Sequence, residues 1–459
     1  MTKHERAGFG SKLGAMLAAA GSAVGLGNIW RFPTQAGENG GAAFILVYVL
    51  CVLLMGLPVM IAEFVIGRHA RANTASAYEK LAPGSQWKWV GRLGVLAAFL
   101  ILSYYAVVAG WTLEYTVASL VGRFGQIAHG GGGQEAYSAY FNQFVADPVS
   151  SVAYTAVFLL LTHVVIVRGV QGGIERGSKV FMPVLFILLV VLTVCALTMS
   201  GAAQGVRFLF APDFGKITWG VVLSAMGQAF YSLSLGMGCL CTYASYFRAD
   251  TKLGKTALGV AVMDTSVAVM AGLIIFPAVF SAGAQPDAGP SLIFITLPGV
   301  FQSAFGAWPV LAYFFSLLFY VLLVLATLTS TISLHEVVTA YLAETRHMSR
   351  QRAAVWVTVG CTLVGAACAL SMGVWSGYRL GGMNLFDLFD YVTAKWMLPV
   401  AGVLIAVFVG WRLQRQVVEQ ELTCGGRQPF SGLRLFVWWL RYVVPVLIVL
   451  VFLGELGLV

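Results

Sequence analysis

The run Gly21-Ser22-Ala23-Val24-Gly25-Leu26-Gly27-Asn28-Ile29-Trp30-Arg31-Phe32-Pro33 places three glycines, two uncharged polar residues, an arginine and a proline in an otherwise apolar stretch. Each glycine weakens a helix by about 1 kcal/mol, and Pro33 removes a backbone donor. Arginine inside an apolar span is costly and marks function. Backbone leaves the helix at membrane depth only where protein or a cavity satisfies its polar groups. The implied chemistry is ligand binding by a broken helix, with freed carbonyls and amides aimed at the ligand.

A second stretch repeats the pattern. Ser232-Leu233-Ser234-Leu235-Gly236-Met237-Gly238 again sets hydroxyls beside closely spaced glycines in an apolar run. Asp264 stands within the apolar run 256–281, and the pair Thr329-Ser330 within another. Glycines at helix contacts also permit close packing, but two breaks carrying polar residues at corresponding places point to a transport site. A membrane enzyme would need a nucleophile, metal or paired-acid constellation, and the sequence offers none. A channel would need a continuous polar pore, whereas the polar groups here gather at the two breaks. Cys239-x-Cys241 lies in an apolar helix, where no metal or redox role is expected.

Long apolar helices must position these residues. Of the 459 residues 59% are hydrophobic and 10% charged, with mean hydropathy +0.83, which describes a polytopic membrane protein. The net charge of +9 does not indicate nucleic acid, because the basic residues fall in loops between apolar spans. Windows of spanning length lie near 13–37, 42–67, 90–122, 151–168, 179–200, 217–247, 256–281, 308–343, 352–372, 385–411 and 433–454, eleven in all. With the N-terminus inside, 21 of the 28 lysines and arginines fall on the inner side. That asymmetry predicts a cytoplasmic N-terminus and an outside C-terminus.

The basic start followed by Leu13 to Ala20 imitates a cleavable leader, but the apolar stretch runs on to Trp30 and is read as retained. The seven cysteines lie mostly in spans, so structural disulfides are not expected. Residues 123–150, with Gly130 to Gly133, read as a flexible loop, and 285–306 as a helical cap folding back over the outer face.

Several motifs together resemble the neurotransmitter:sodium symporter family, in its bacterial amino-acid transporter branch. They are Gly21 to Pro33 followed by Gln35 and Glu38-Asn39-Gly40-Gly41; Gln228-x-Phe230-Tyr231-Ser232-Leu233-Ser234-Leu235-Gly236; Thr242-Tyr243-Ala244-Ser245-Tyr246; Gly173-Ile174-Glu175-Arg176; and Leu328-Thr329-Ser330. The likeness covers nearly the whole chain. It implies an all-α polytopic membrane protein with a LeuT-type 5+5 inverted repeat and discontinuous helices 1 and 6, here in an eleven-helix form. One integral membrane transport domain would fill 1–459, with a first repeat at 13–200, a second, inverted repeat at 217–411 and helix 11 at 433–454. The location implied is the bacterial cytoplasmic (inner) membrane.

The resemblance also implies ligands. Sodium prefers oxygen donors. One ion would lie among the Ala23 carbonyl, Asn28, Ser232, Asp264 and the substrate's carboxylate; a second would use the Gly21, Val24 and Ala326 carbonyls with Thr329 and Ser330. The Leu26 and Gly27 amides, with the Tyr105 hydroxyl, suit an amino acid's carboxylate, and carbonyls around Ala23, Tyr231 and Ser234 its amino group. The guest's side chain would meet Ser22, Ile101, Tyr105, Tyr231, Ser234, Met237, Ser330 and Leu334. No charged side chain is among them, and a thioether adapts to aromatic rings, so large hydrophobic and aromatic L-amino acids are expected. Family members usually carry asparagine where Asp264 stands, and Ala268 replaces the serine or acid that relatives place nearby. Asp264 is therefore expected to supply the charge that chloride supplies elsewhere.

Arg31 with Asp390 resembles the family's outer gate, and Arg6 with Glu344 the inner one, beside Phe9 and Tyr246. Glu63 is expected to steady the unwound first helix. Lys395 is expected to pair with an acid or face the vestibule, and His163 and His335 to be packed in the core. The rival reading is a proton-coupled amino-acid transporter on the same fold, against which the hydroxyl pair Thr329-Ser330 argues.

Overall fold

The structure, a computed structural model, describes residues 7–284, 292–305, 308–430 and 432–458. Span 1 is the pair Lys12–Ala23 and Gly27–Glu38, bent by 52° at the break. Spans 2 to 5 are Ala42–Ala70, Lys88–Leu120, Pro148–Val167 and Val170–Ala196. Span 6 is the pair Trp219–Ser232 and Cys239–Ala244. Spans 7 to 11 are Leu253–Ser281, Pro309–Thr345, Arg350–Met372, Leu385–Arg412 and Leu433–Glu455. Nine of these are unbroken helices long and apolar enough to cross a membrane, and the bent pair of span 1 makes a tenth. With the broken span 6 the arrangement is compatible with eleven crossings.

Local chemistry explains the breaks. Ser11 caps span 1 by accepting the Gly14 amide at 3.0 Å. The first half ends at Ala23, and Val24 turns extended. A side chain at Gly25 would collide with Ser330 Oγ and meet Tyr105 Oη, so only glycine lets spans 3 and 8 approach here. In span 6, Ser234, Gly236 and Gly238 all take positive φ (54°, 81° and 77°), a sequence of left-handed residues that no helix continues through.

Burial sorts the spans. The most apolar window of span 3 is 78% buried, that of span 11 only 22%. Span 3 therefore runs through the protein core beside span 8, while spans 4, 5 and 11 turn residues such as Leu160, Ile187 and Val446 outward to form the lipid-facing surface.

One expectation is corrected between spans 3 and 4. Residues 123–150 are not a flexible loop: they form the helices Arg123–His129 and Gln134–Ala146, jointed at the glycine run. Asp147 then caps span 4, accepting the Ser150 amide at 3.1 Å. Phe124 and Tyr137 are buried and supply the packing that glycine content alone hid. Of the expected cap, 285–291 and 306 lie outside the described residues; the rest includes a helix, Thr296–Ala304, packed on spans 7 and 8.

The face that carries the N-terminal segment is latched. Phe9 donates its amide to the Tyr246 carbonyl at 2.9 Å, and Glu175 accepts the Gly10 amide (2.6 Å) and the Ser11 hydroxyl (2.8 Å). The helix Arg415–Leu422 closes over the end of span 2, where Glu421 pairs with Arg68 and lies 3.0 Å from His69 Nδ1. Burial alone would raise the Glu421 carboxyl, but His69 and Arg68 outweigh it and hold it below the usual range. A depressed acid stabilises the folded state above its ordinary pKa of about 4.3 and loses that contribution as pH falls further. The protection of the amides in 415–422, relative to their intrinsic exchange at the same pH, is accordingly expected to fall once pH drops below about 4, ahead of that in span 3; parallel changes in both would remove the latch.

Candidate functional site

The two breaks face each other across a cavity. All the expected substrate contacts except Leu26 line it: Ser22, Ala23, Gly27, Ile101, Tyr105, Tyr231, Ser232, Ser234, Met237, Ser330 and Leu334. Gly25 and Ser333 join them. Leu26 instead lines the neighbouring vestibule, while its amide donates to the Tyr105 hydroxyl at 3.0 Å. The Ser234 hydroxyl donates to the Ser22 carbonyl at 2.8 Å, so one break is tied directly to the other. Gln228 adds a second tie, Nε2 to the Gly27 carbonyl at 2.9 Å. Among the described residues Ser22 Oγ has no hydrogen-bond partner although it is buried, which leaves a polar group of the cavity wall available to a guest.

Oxygen-rich clusters flank the cavity on two sides. In the first, Asp264 is fully buried and its carboxylate accepts from Asn28 Nδ2 (2.7 Å), Ser232 Oγ (2.9 Å) and Tyr48 Oη (3.0 Å). Asn28 Nδ2 also reaches the Ser232 hydroxyl and the Asp264 carbonyl, each at 3.0 Å. Among the described residues no lysine or arginine is ion-paired with Asp264, and a carboxylate buried without a cation is expensive. The oxygens of Asp264 and Ser232 are therefore suited to a hard cation. In the second cluster, the Val24 carbonyl, freed by the break, accepts from Ser330 Oγ at 3.0 Å and Thr329 Oγ1 at 3.4 Å. Thr329 also donates to the Ala326 carbonyl at 2.9 Å, and Gly21 packs on the Thr329 side chain. Four of the five expected donors of the second ion, all but the Gly21 carbonyl, are thus linked to one another, and Gly21 packs beside them.

Glu63 departs from expectation. Its carboxylate accepts the Gly236 amide at 2.8 Å and the Cys241 amide at 3.3 Å, so it steadies the break in span 6 rather than that in span 1. Motif position pointed to the break in span 1, whereas span 2 packs against the second half of span 6 and so sets Glu63 on that break. Thr74 completes the support, donating to the Gly238 carbonyl at 2.9 Å.

Tyr105 and Tyr231 line both this cavity and a second space of about 360 Å³, as the roof of the one and the floor of the other, a vestibule. Arg31 and Asp390 both face this vestibule, but they are not ion-paired in this structure. Arg31 lies over the Tyr231 ring at 4.6 Å, and among the described residues its ion-pair partner is Glu455 of span 11, at 3.7 Å. Lys395 both faces the vestibule and pairs with an acid, again Glu455, at 3.6 Å. Four carboxylates (Glu38, Asp387, Asp390, Glu455) against two cations make the entrance acidic on a basic chain, which concentrates cations there.

On the opposite face, expected to be the inner one, Arg6 lies outside the described residues. Glu344 accepts from Asn73, amide and carboxamide both at 2.9 Å. Phe9 packs edge-on against Tyr246 (5.9 Å), whose hydroxyl donates to Glu336 (2.7 Å), itself bidentate to Arg350. His163 and His335 share the Thr358 hydroxyl; His335 is fully buried in the core, while His163 is only partly buried.

Two broken helices enclosing a cavity at mid-depth, with oxygen clusters beside it and an aromatic roof above, define a secondary transporter of the LeuT-type fold. The profile of the Sodium:neurotransmitter symporter family matches residues 6–127 and 144–457, and the chain belongs to that family. It is 39% identical to the sodium-dependent transporter YhdH of Bacillus subtilis over 100% of this chain and 99% of that one. It is 26% identical to the human sodium- and chloride-dependent GABA transporter 2 over 89% of this chain and 73% of that one. The crystal structure of MhsT in complex with L-phenylalanine is 41% identical, covers 98% of this chain and 100% of that chain, and superposes with a TM-score of 0.87. The protein is thus a multi-pass sodium-dependent symporter.

Proposed function

We propose that the protein carries hydrophobic and aromatic L-amino acids into the cell with sodium, by alternating access and without chloride. The observation that carries this reading is Asp264, fully buried against Asn28, Ser232 and Tyr48 at the edge of a cavity lined by no charged side chain. In this reading one sodium lies among Asp264, Asn28, Ser232 and the Ala23 carbonyl and is completed by the guest's carboxylate, so ion and guest bind together. The second lies between the Gly21, Val24 and Ala326 carbonyls and the Thr329 and Ser330 hydroxyls, tying span 1 to span 8 until its release frees the inner side. The guest's carboxylate takes the Leu26 amide from Tyr105.

The cavity as it stands, about 40 Å³, is smaller than such a guest, so binding must move the roof and the flexible Met237 outward. That MhsT is seen with L-phenylalanine supports an aromatic guest in a pocket of this type. The protein would lie in a bacterial cytoplasmic membrane with its N-terminus inside, spans 1–5 and 6–10 forming the two repeats.

The test is uptake into proteoliposomes under an inward sodium gradient, with unlabelled amino acids as competitors. Tryptophan, phenylalanine, tyrosine and leucine should displace labelled tryptophan, and aspartate and lysine should not; displacement by the charged pair would overturn the side-chain assignment. Ser330→Ala removes a hydroxyl from the second sodium site and is expected to weaken sodium activation about ten-fold, the scale of one charge-assisted hydrogen bond. An unchanged sodium dependence would take Ser330 out of the site.

A further inference from the structure

Span 11 reaches into the vestibule through a single acid. Glu455 Oε1 lies 3.7 Å from Arg31 Nη2, its Oε2 lies 3.6 Å from Lys395 Nζ, and its backbone carbonyl accepts from that same ammonium at 3.0 Å. Its carboxylate rests over Gly227 of span 6, where an added Cβ would stand 2.9 Å from Oε1. One side chain therefore joins span 11 to the outer halves of spans 1, 6 and 10. These are the segments that must close over the roof formed by Tyr105 and Tyr231.

We infer that Glu455 is a positioning residue of the outer gate, which holds Arg31 away from Asp390 while the vestibule is open. Arg31 is shared between two acids. With the vestibule open it lies by Glu455, pivoted on the face of Tyr231; closure passes it to Asp390 on span 10. Lys395 anchors Glu455 through both its carbonyl and its carboxylate, so the acid stays in place when Arg31 leaves. Pairs of this half-exposed kind are weak enough to exchange thermally. Removing the Glu455 charge therefore favours the closed gate rather than loosening it. The inference rests on Arg31 and Asp390 being the outer gate, but not on the identity of the guest.

The experiment uses the full chain in nanodiscs, in sodium and without amino acid. Ala394→Cys places a thiol on the vestibule wall of span 10, and its modification by a membrane-impermeant maleimide is timed against the parent chain. Glu455→Gln should slow the reaction about three- to five-fold, the range that one half-exposed ion pair supports. Gly227→Ala, which displaces the carboxylate without removing its charge, should slow it in the same direction and keeps the test open if Glu455→Gln folds poorly. Adding Asp390→Asn to Glu455→Gln should restore the parent rate, because closure then lacks its acceptor; a merely structural role of Glu455 would show no such reversal. A parental or faster rate in Glu455→Gln, or slowing that Asp390→Asn does not reverse, would overturn the inference. If the slowing is seen in a chain that binds no tryptophan, the substrate reading alone falls.

Discussion

Asp264→Asn is expected to weaken sodium activation by at least about thirty-fold in chloride-free buffer. The carboxylate is fully buried, and in the proposed site it lies beside the first ion. A unit charge at about 4 Å contributes roughly 4 kcal/mol at an effective dielectric of 20; half of that, about 2 kcal/mol, corresponds to the thirty-fold floor. The substitution keeps the shape but sets an amide among three groups that now donate to the carboxylate: Asn28, Ser232 and Tyr48. Adding Ala268→Ser, which returns the hydroxyl that chloride-dependent relatives carry, should recover activity only when chloride is present. Sodium activation measured by labelled amino-acid binding decides the matter. An unchanged midpoint in Asp264→Asn would show that the carboxylate is not the built-in anion.

Glu63→Ala is expected to be the most destabilising single change at the breaks. It strips the acceptor from two buried amides, Gly236 and Cys241, in a stretch whose left-handed residues already forbid helical pairing. Each buried donor left unsatisfied costs about 1–3 kcal/mol, so the loss should be roughly 2–6 kcal/mol, seen as a lower thermal midpoint and a loss of sodium-dependent binding. Glu63→Gln keeps one acceptor oxygen and should fall between. A midpoint equal to the parent's in Glu63→Ala would mean that the break in span 6 is held by other contacts.

The breaks were legible because they violate two rules at once. Gly25, Gly27, Gly236 and Gly238 weaken helices, and Asn28, Ser232 and Asp264 are polar where lipid or core would demand apolar residues. Such double violations in long apolar runs have few structural explanations. The partners were less legible, because pairing across the fold leaves no trace in spacing. Tyr48 reads as one more apolar-span aromatic until its hydroxyl is seen on Asp264. Glu455 closes an apolar run and gives no sign that it faces Arg31, 424 positions earlier in the chain. Glu175 stood in a recognised motif, yet only the folded chain shows it receiving the Gly10 amide. The outer segment 123–150 was misjudged because Gly130 to Gly133 dominates its composition. The signals that mattered were the Asp147-Pro148 start of span 4 and the aromatic packing of Phe124 and Tyr137.

The central claim is a site in which sodium and an aromatic amino acid bind together with no need of chloride. Its most direct test is equilibrium binding of tritiated tryptophan to the purified full chain, titrated with sodium and repeated with chloride replaced by gluconate. The account predicts saturable binding that appears with sodium and is the same in gluconate. Binding that persists in sodium-free buffer and follows pH, or that disappears with chloride, would contradict it.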